Sequence, residues 1–292
     1  MKRVSLEEII DCESLPSAPV VAARVLELCR RSTVGTKEIA ATLATDPALC
    51  ARLLKVVNSS LYGLRQPVST VRQAVLLLGI DRVKTVAIGF SFLKTLSEQH
   101  AAEFDVDHFA MRSVYAGVAA QLLAEAAGHP EPEEAFVGGL LQDVGVLAMV
   151  QAIGRDYVHL LSGAEDHAEL THKEEERFGF DHAHVGAALA DRWKLPAGIV
   201  SQIRYHSRPE NAAKDLALLT QAASLGGMTA RLLLATEAIS MEALIEAYDE
   251  GLGVAAAQAA ALLHKIEAAA RQVGKLFNLR PGNAITTDML IQ

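Results

Sequence analysis

Aromatic side chains make up only 5% of the 292 residues, while alanine recurs along the whole chain. That balance argues against a β-sandwich and for closely packed helices. Cysteine is nearly missing: Cys12, Cys29 and Cys50 are odd in number and form no CxxC pair, which excludes a disulfide framework and a zinc knuckle. There is no basic excess either. The net charge is −8, so the chain is not built to grip phosphate backbones, and a nucleic-acid partner is disfavoured. No apolar run reads as long enough to span a bilayer, and the opening Met1-Lys2-Arg3-Val4 does not begin a signal peptide. A cytoplasmic protein without a membrane partner is expected. Phosphate-cradling glycine loops, nucleophile elbows and HExxH motifs are all missing, as is any repeat of fixed period.

What is present is apolar periodicity. With 51% hydrophobic residues the chain can bury a full core. Val21, Val25 and Leu28 fall at helical spacing behind Pro19. Thr36 and Asp46-Pro47 read as helix starts, the second ahead of the stripe Leu49, Leu53, Val56 and Val57. A polar break follows at Asn58-Ser59-Ser60-Leu61-Tyr62-Gly63. Ser69-Thr70 opens a helix carrying Val71, Ala74, Val75 and Leu78, and Asp81 is placed as the cap of the next. The polar stretch 97–108 links this part to a long helix with Val114, Val118 and Leu122 on one face. Later helices are expected at 213–225 and 229–248, separated by Gly226-Gly227, with a final one bearing Leu262, Ile266, Val273 and Phe277. The run Lys173–Arg177 reads as a solvated face. Leu53, Val75, Leu78, Val86, Leu140, Leu141 and Trp193 are the expected core.

One stretch carries chemistry. In Gly138-Gly139-Leu140-Leu141-Gln142-Asp143-Val144-Gly145, Asp143 is the only acid between Glu134 and Asp156. A lone carboxylate in so apolar a run needs a cationic or hydrogen-bonding partner. Gly145 is expected to let the chain turn close to it.

These motifs together resemble the HDOD (HD-related output domain) family. The resemblance rests on the Leu15-Pro16-x-x-Pro19 opening, Asp46-Pro47, the Asn58–Gly63 turn, Val68-Ser69-Thr70-Val71 and Leu78-Gly79. It resumes at Gln142-Asp143 and runs to about Pro209 through His182, Trp193-x-Leu195-Pro196 and His206. It implies an all-α fold of two helical lobes: an N-terminal lobe over 1–100 packed on an HD-like lobe over 101–212, with 213–292 completing or extending the second. It also implies a non-catalytic bacterial signalling module that meets a protein partner in trans. No receiver, GGDEF or EAL segment is visible.

The HD superfamily, of which HDOD is a degenerate relative, hydrolyses phosphates with metals held by converging histidines and carboxylates. By the resemblance, the first ligand position here is Arg112, which has no lone pair to donate. The second is Gln142, where the superfamily's doublet has histidine, and the third is Asp143. For the fourth, residues 218–221 offer no acid, although Asp215 is near in sequence. Arg112, Gln142 and Asp143 are therefore vestigial positions, an Arg112–Asp143 pair is expected to replace the cation, and no cofactor or catalytic residue is assigned. His182 and His206 form a possible secondary ligand site, with a structural role favoured for each. His100, His108, His129 and His167 read as exposed. The alternative is an HD-type phosphohydrolase or cyclic-dinucleotide phosphodiesterase using an atypical set, Asp143, His182 and His206.

Overall fold

The computed structural model describes residues 4–12, 15, 17–29, 35–97, 103–280 and 286–287; among them every regular element is helical. The first part of the chain folds as α1 (Leu6–Ile10), α2 (Val20–Cys29), α3 (Thr36–Leu43), α4 (Pro47–Val57), α5 (Val71–Leu78) and α6 (Ile80–Ser97). The middle part holds α7 (Val106–Ala126), α8 (Pro132–Leu141), α9 (Val144–Ile153), α10 (Arg155–Ser162), α11 (His167–Phe178), α12 (His182–Arg192) and α13 (Ala197–Tyr205). Last come α14 (Ala217–Leu233), α15 (Met241–Leu252) and α16 (Ala256–Leu276). His100, Pro16 and Pro281-Gly282 lie outside the described residues, as do 98–102 of the linker.

The sequence dictates many of the helix starts directly. Asp46 accepts a hydrogen bond from the Leu49 amide at 2.9 Å, with Pro47 in the first turn of α4. Thr70 and Gln73 form a reciprocal capping box on α5. Asn58 bridges the polar break, receiving the Val68 amide at 2.7 Å and donating to the Val68 carbonyl at 2.8 Å. Two starts differ from the reading: Gly35, not Thr36, caps α3, and Asp81 is the second residue of α6 and not its cap. Leu78 is only partly buried, because α5 turns Val71, Ala74 and Val75 inward and its C-terminal end faces out. The other six residues expected in the core are buried.

At the centre lies α7, in which every residue from Phe109 to Ala124 is buried except Arg112. Helices α8 and α14 pack on it closely enough that small residues are required. A methyl group added at Gly226 would stand 2.5 Å from the Ala116 carbonyl. Gly226-Gly227 is thus the interior of one continuous helix and not a break, because α14 needs bare backbone where it crosses α7. Gly145 is likewise inside α9 and makes no turn. It lets α9 touch α12, since a Cβ there would lie 1.9 Å from the His182 carbonyl oxygen. The stretch Pro132–Ile153 is, by length and composition, apolar enough to cross a membrane, contrary to the sequence reading, but it is mostly buried within the bundle and holds Gln142 and Asp143 at its middle.

Candidate functional site

Four helix termini converge beside α7. Gln142 ends α8 and Asp143 stands at the N-terminus of α9, where the helix dipole favours a carboxylate. His182 is the first residue of α12, directly after its cap Asp181, and His206 closes α13. The expected ion pair is present: Arg112 Nη2 lies 3.3 Å from Asp143 Oδ2. The other oxygen, Oδ1, faces His206 Nε2 at 3.3 Å and His182 Nε2 at 3.6 Å, and the two Nε2 atoms are 3.2 Å apart.

Hydrogen bonds on the far side of each ring fix which nitrogen points inward. Glu174 Oε2 accepts from His182 Nδ1 at 2.7 Å and from the His182 amide at 3.0 Å; Tyr157 donates to the other oxygen of Glu174. His206 Nδ1 donates to the Ile203 carbonyl at 2.9 Å. Both Nδ1 atoms therefore carry hydrogen, and in the neutral rings both Nε2 lone pairs face each other and Asp143 Oδ1. Three lone pairs directed at one point require a proton or a cation between them. Burial opposes a charge on His182, but Glu174 and Asp143 outweigh it and raise its pKa to about 9. Burial likewise works against an ionised Asp143, yet Arg112 and His206 hold its carboxyl well below the usual range.

Two residues enter the site against expectation. Glu174 sits in the charged run read as solvated, yet it is buried and anchors His182. Leu170, Glu174 and Phe178 recur every four residues on α11, a stripe that could have exposed the exception. His167 is not free on the surface. It begins α11 after its cap Asp166, bonds Ser207 Oγ through Nε2 at 3.0 Å, and packs 5.0 Å, between ring centroids, from His182. Asp166-His167-Ala168 spells the same start as Asp181-His182-Ala183, and that repeated triplet is the sequence signal that pairs His167 with His182. His108 and His129 are partly buried, and Asp215 is exposed on the connection before α14. The α14 residue that meets Gln142 is instead Gly227, where a Cβ would approach Gln142 Nε2 to 2.3 Å.

The fit to a metal differs between the two halves of this site. Where the resemblance places the doublet metal, Arg112 and Gln142 offer no strong donor, and neither end of the buried Gln142 amide has a hydrogen-bond partner. That half does not fit. The neighbouring half does: donor atoms of Asp143, His167, His182 and His206 lie within 4.8 Å of one another. A tetrahedral ion with bonds of roughly 2.0–2.1 Å has ligands about 3.3–3.4 Å apart, close to the 3.2, 3.3 and 3.6 Å edges of the Asp143–His182–His206 triangle. Glu174 and the Ile203 carbonyl orient the two rings as outer-shell partners do in metal sites. A cleft of about 340 Å³ with Phe104, Phe109, Arg112 and His167 among its walls borders the site, and another of about 510 Å³ reaches His167 and His206.

An all-helical bundle with a carboxylate–histidine centre at the junction of its helix ends defines a protein of the HD-related class. The sequence profile of the HDOD domain matches residues 15–209, and the chain belongs to the HDOD family. Solved structures agree. A protein from Shewanella amazonensis SB2B, named as a candidate phosphohydrolase, is 25% identical with a TM-score of 0.74, covering 93% of this chain and 97% of that one. An HDOD domain protein of Geobacter sulfurreducens shares the fold at 23% identity and a TM-score of 0.72, covering 94% and 97%. The MmoQ response regulator of Methylococcus capsulatus is 30% identical with a TM-score of 0.50, covering 86% and 98%. An uncharacterised protein of Treponema pallidum is 25% identical over 229 residues, 78% of this chain; the chain spans 44% of that relative's length.

Proposed function

We propose that this chain is a regulatory module of the bacterial cytoplasm that passes on a signal by binding a protein partner, without hydrolysing phosphate esters at its HD-derived centre. The observation that carries this is the Arg112–Asp143 pair at 3.3 Å. A permanent cation on a side chain stands against the carboxylate that would hold the doublet metal, repels a second cation, and cannot ligate. The likeness to a chain named a response regulator supports a regulatory role.

A second reading, metal-dependent phosphohydrolysis, is favoured by the Asp143–His182–His206 triangle. An ion held there would act as a Lewis acid on a phosphate oxygen. Elemental analysis of chelator-free protein, paired with a phosphodiesterase and nucleotidase assay in added Mn²⁺, separates the two. The expected result is no turnover of cyclic dinucleotides or nucleotides. Metal near one per chain together with turnover that Asp143→Ala abolishes would establish the phosphohydrolase instead. Metal without turnover leaves the regulatory reading standing and assigns the ion to the triangle.

A further inference from the structure

Far from the histidine centre, a second cleft of about 210 Å³ opens where α5 turns into α6 and meets the start of α8. Leu78, Ile80 and Pro130 are among its walls, and Glu133 and Glu134 line it. Glu133 is an unusual residue to find there. Its side chain is only 3% exposed, and its Oε2 has no hydrogen-bond partner. The nearest cation, Arg82 Nε, stands 3.6 Å away on a side chain that is 43% exposed and also donates to the Pro130 carbonyl. A buried carboxylate whose one cationic partner is long and half in solvent is costly. Burial accordingly raises the pKa of both Glu133 and Glu134.

An independent feature adjoins it. Leu76 and Leu77, immediately before Leu78, are 71% and 61% exposed. Among the described residues the only other exposed large hydrophobic is Val20. Two bare leucines beside a carboxylate-floored cleft make an apolar shoulder next to a pocket of negative charge.

We propose that the α5–α6 turn and the start of α8 form a docking surface for a protein segment that presents a lysine or arginine flanked, within one helical turn, by apolar residues. The cation enters the cleft and meets Glu133, and the apolar residues cover Leu76 and Leu77. Charge selects this occupant. The carboxylates repel an anionic lipid surface and an acidic peptide, and a purely apolar segment would leave Asp81, Glu131, Glu133 and Glu134, which share the cleft with the single cation Arg82, in excess. A charge-assisted hydrogen bond is stronger than a neutral one, and apolar contacts around it exclude water. The proposal rests on the reading that the chain acts by binding protein, and it names the surface and the partner's chemistry.

The test is selection of a phage-displayed library of random 16-residue peptides on the full chain, followed by titration of the selected peptides. Peptides carrying Lys or Arg within four residues of Leu, Ile, Phe or Met are expected. They should bind at least tenfold more weakly to Leu76→Asp and to Glu133→Gln, while circular dichroism and thermal unfolding show both variants folded. Glu133→Gln removes a buried charge and keeps the shape, so its loss of binding does not report misfolding. Selected peptides that lack a basic residue, or that bind both variants as they bind the unaltered chain, overturn the proposal. Selection of no peptide also overturns it. Binding that survives both variants places recognition elsewhere and spares the regulatory reading, whereas phosphodiesterase turnover would sink that reading and leave this surface standing. Dimerisation of the unaltered chain in sedimentation, lost in Leu76→Asp, would show that a second copy covers the leucines and would equally overturn it.

Discussion

Asp143 ties the centre together through partners on three other helices, and Arg112 is the one that carries a permanent charge. Arg112→Leu should therefore leave a buried carboxylate dependent on two imidazoles. Because Arg112 is 23% exposed and the histidines remain, the expected loss is about 1–3 kcal/mol in urea unfolding. An unchanged stability would mean that the pair contributes nothing. Glu133 behaves oppositely. Its pKa is raised by burial, so between the unfolded value and the folded one the native state holds the extra proton, and stability falls as pH rises through that window. Glu133→Gln is thus expected to stabilise the chain at pH 7.5, on the order of 1 kcal/mol, with the gain vanishing below about pH 4. Equal stability at both pH values would contradict the assignment. At this scale the sequence was partly legible. Arg112, Gln142 and Asp143 stood out because charge or its lack is visible in an apolar run. Glu174 and His167 did not, since a polar run conceals which of its members the helix turns inward.

Elements were legible at Asp46 and Thr70, read as helix starts and found as caps, whereas the caps Asp166 and Asp181 went unread and Thr36 and Asp81 are not caps. Asp46, Thr70, Asp166 and Asp181 each accept a backbone amide at the helix start, and each does so with a residue type whose chemistry prescribes it. Glycine carried less information. The same residue ends α11 at Gly179 with φ of 86° and lies within α14 at Gly226, and only the neighbour across the interface tells the two apart. Gly145 makes the point testable. With the His182 carbonyl 1.9 Å from where a methyl would sit, Gly145→Ala must push α9 off α12, at a cost of about 3 kcal/mol or more. Gly35→Ala, where nothing lies within 4 Å, should cost under about 1 kcal/mol. Chemical denaturation of both variants checks this, and similar losses for the two would refute the close contact.

For the molecule as a whole, periodicity and composition were enough for an all-helical fold, because an amphipathic stripe can be read one helix at a time. Which stripes meet was not readable, and the meetings are long-range. Gln272 on α16 accepts hydrogen bonds from the backbone and side chain of Ser60, and Arg52 on α4 lies over the Phe277 ring at 4.9 Å. At the other end, α1 buries Ile9 and packs on α9 and α12, where Arg192 Nη1 donates to the Ile10 carbonyl at 2.7 Å and meets Asp11 at 2.9 Å. This last contact sets an order in time. A chain leaving the ribosome releases residues 6–10 well before residue 192, without which their seat is not complete. At about 5–20 residues per second that interval is roughly 10–40 s, far longer than the microseconds in which a helix forms or melts. Helix α1 is thus made long before it can dock, and α12, whose opposite end carries His182, receives it only after its own last residue has emerged.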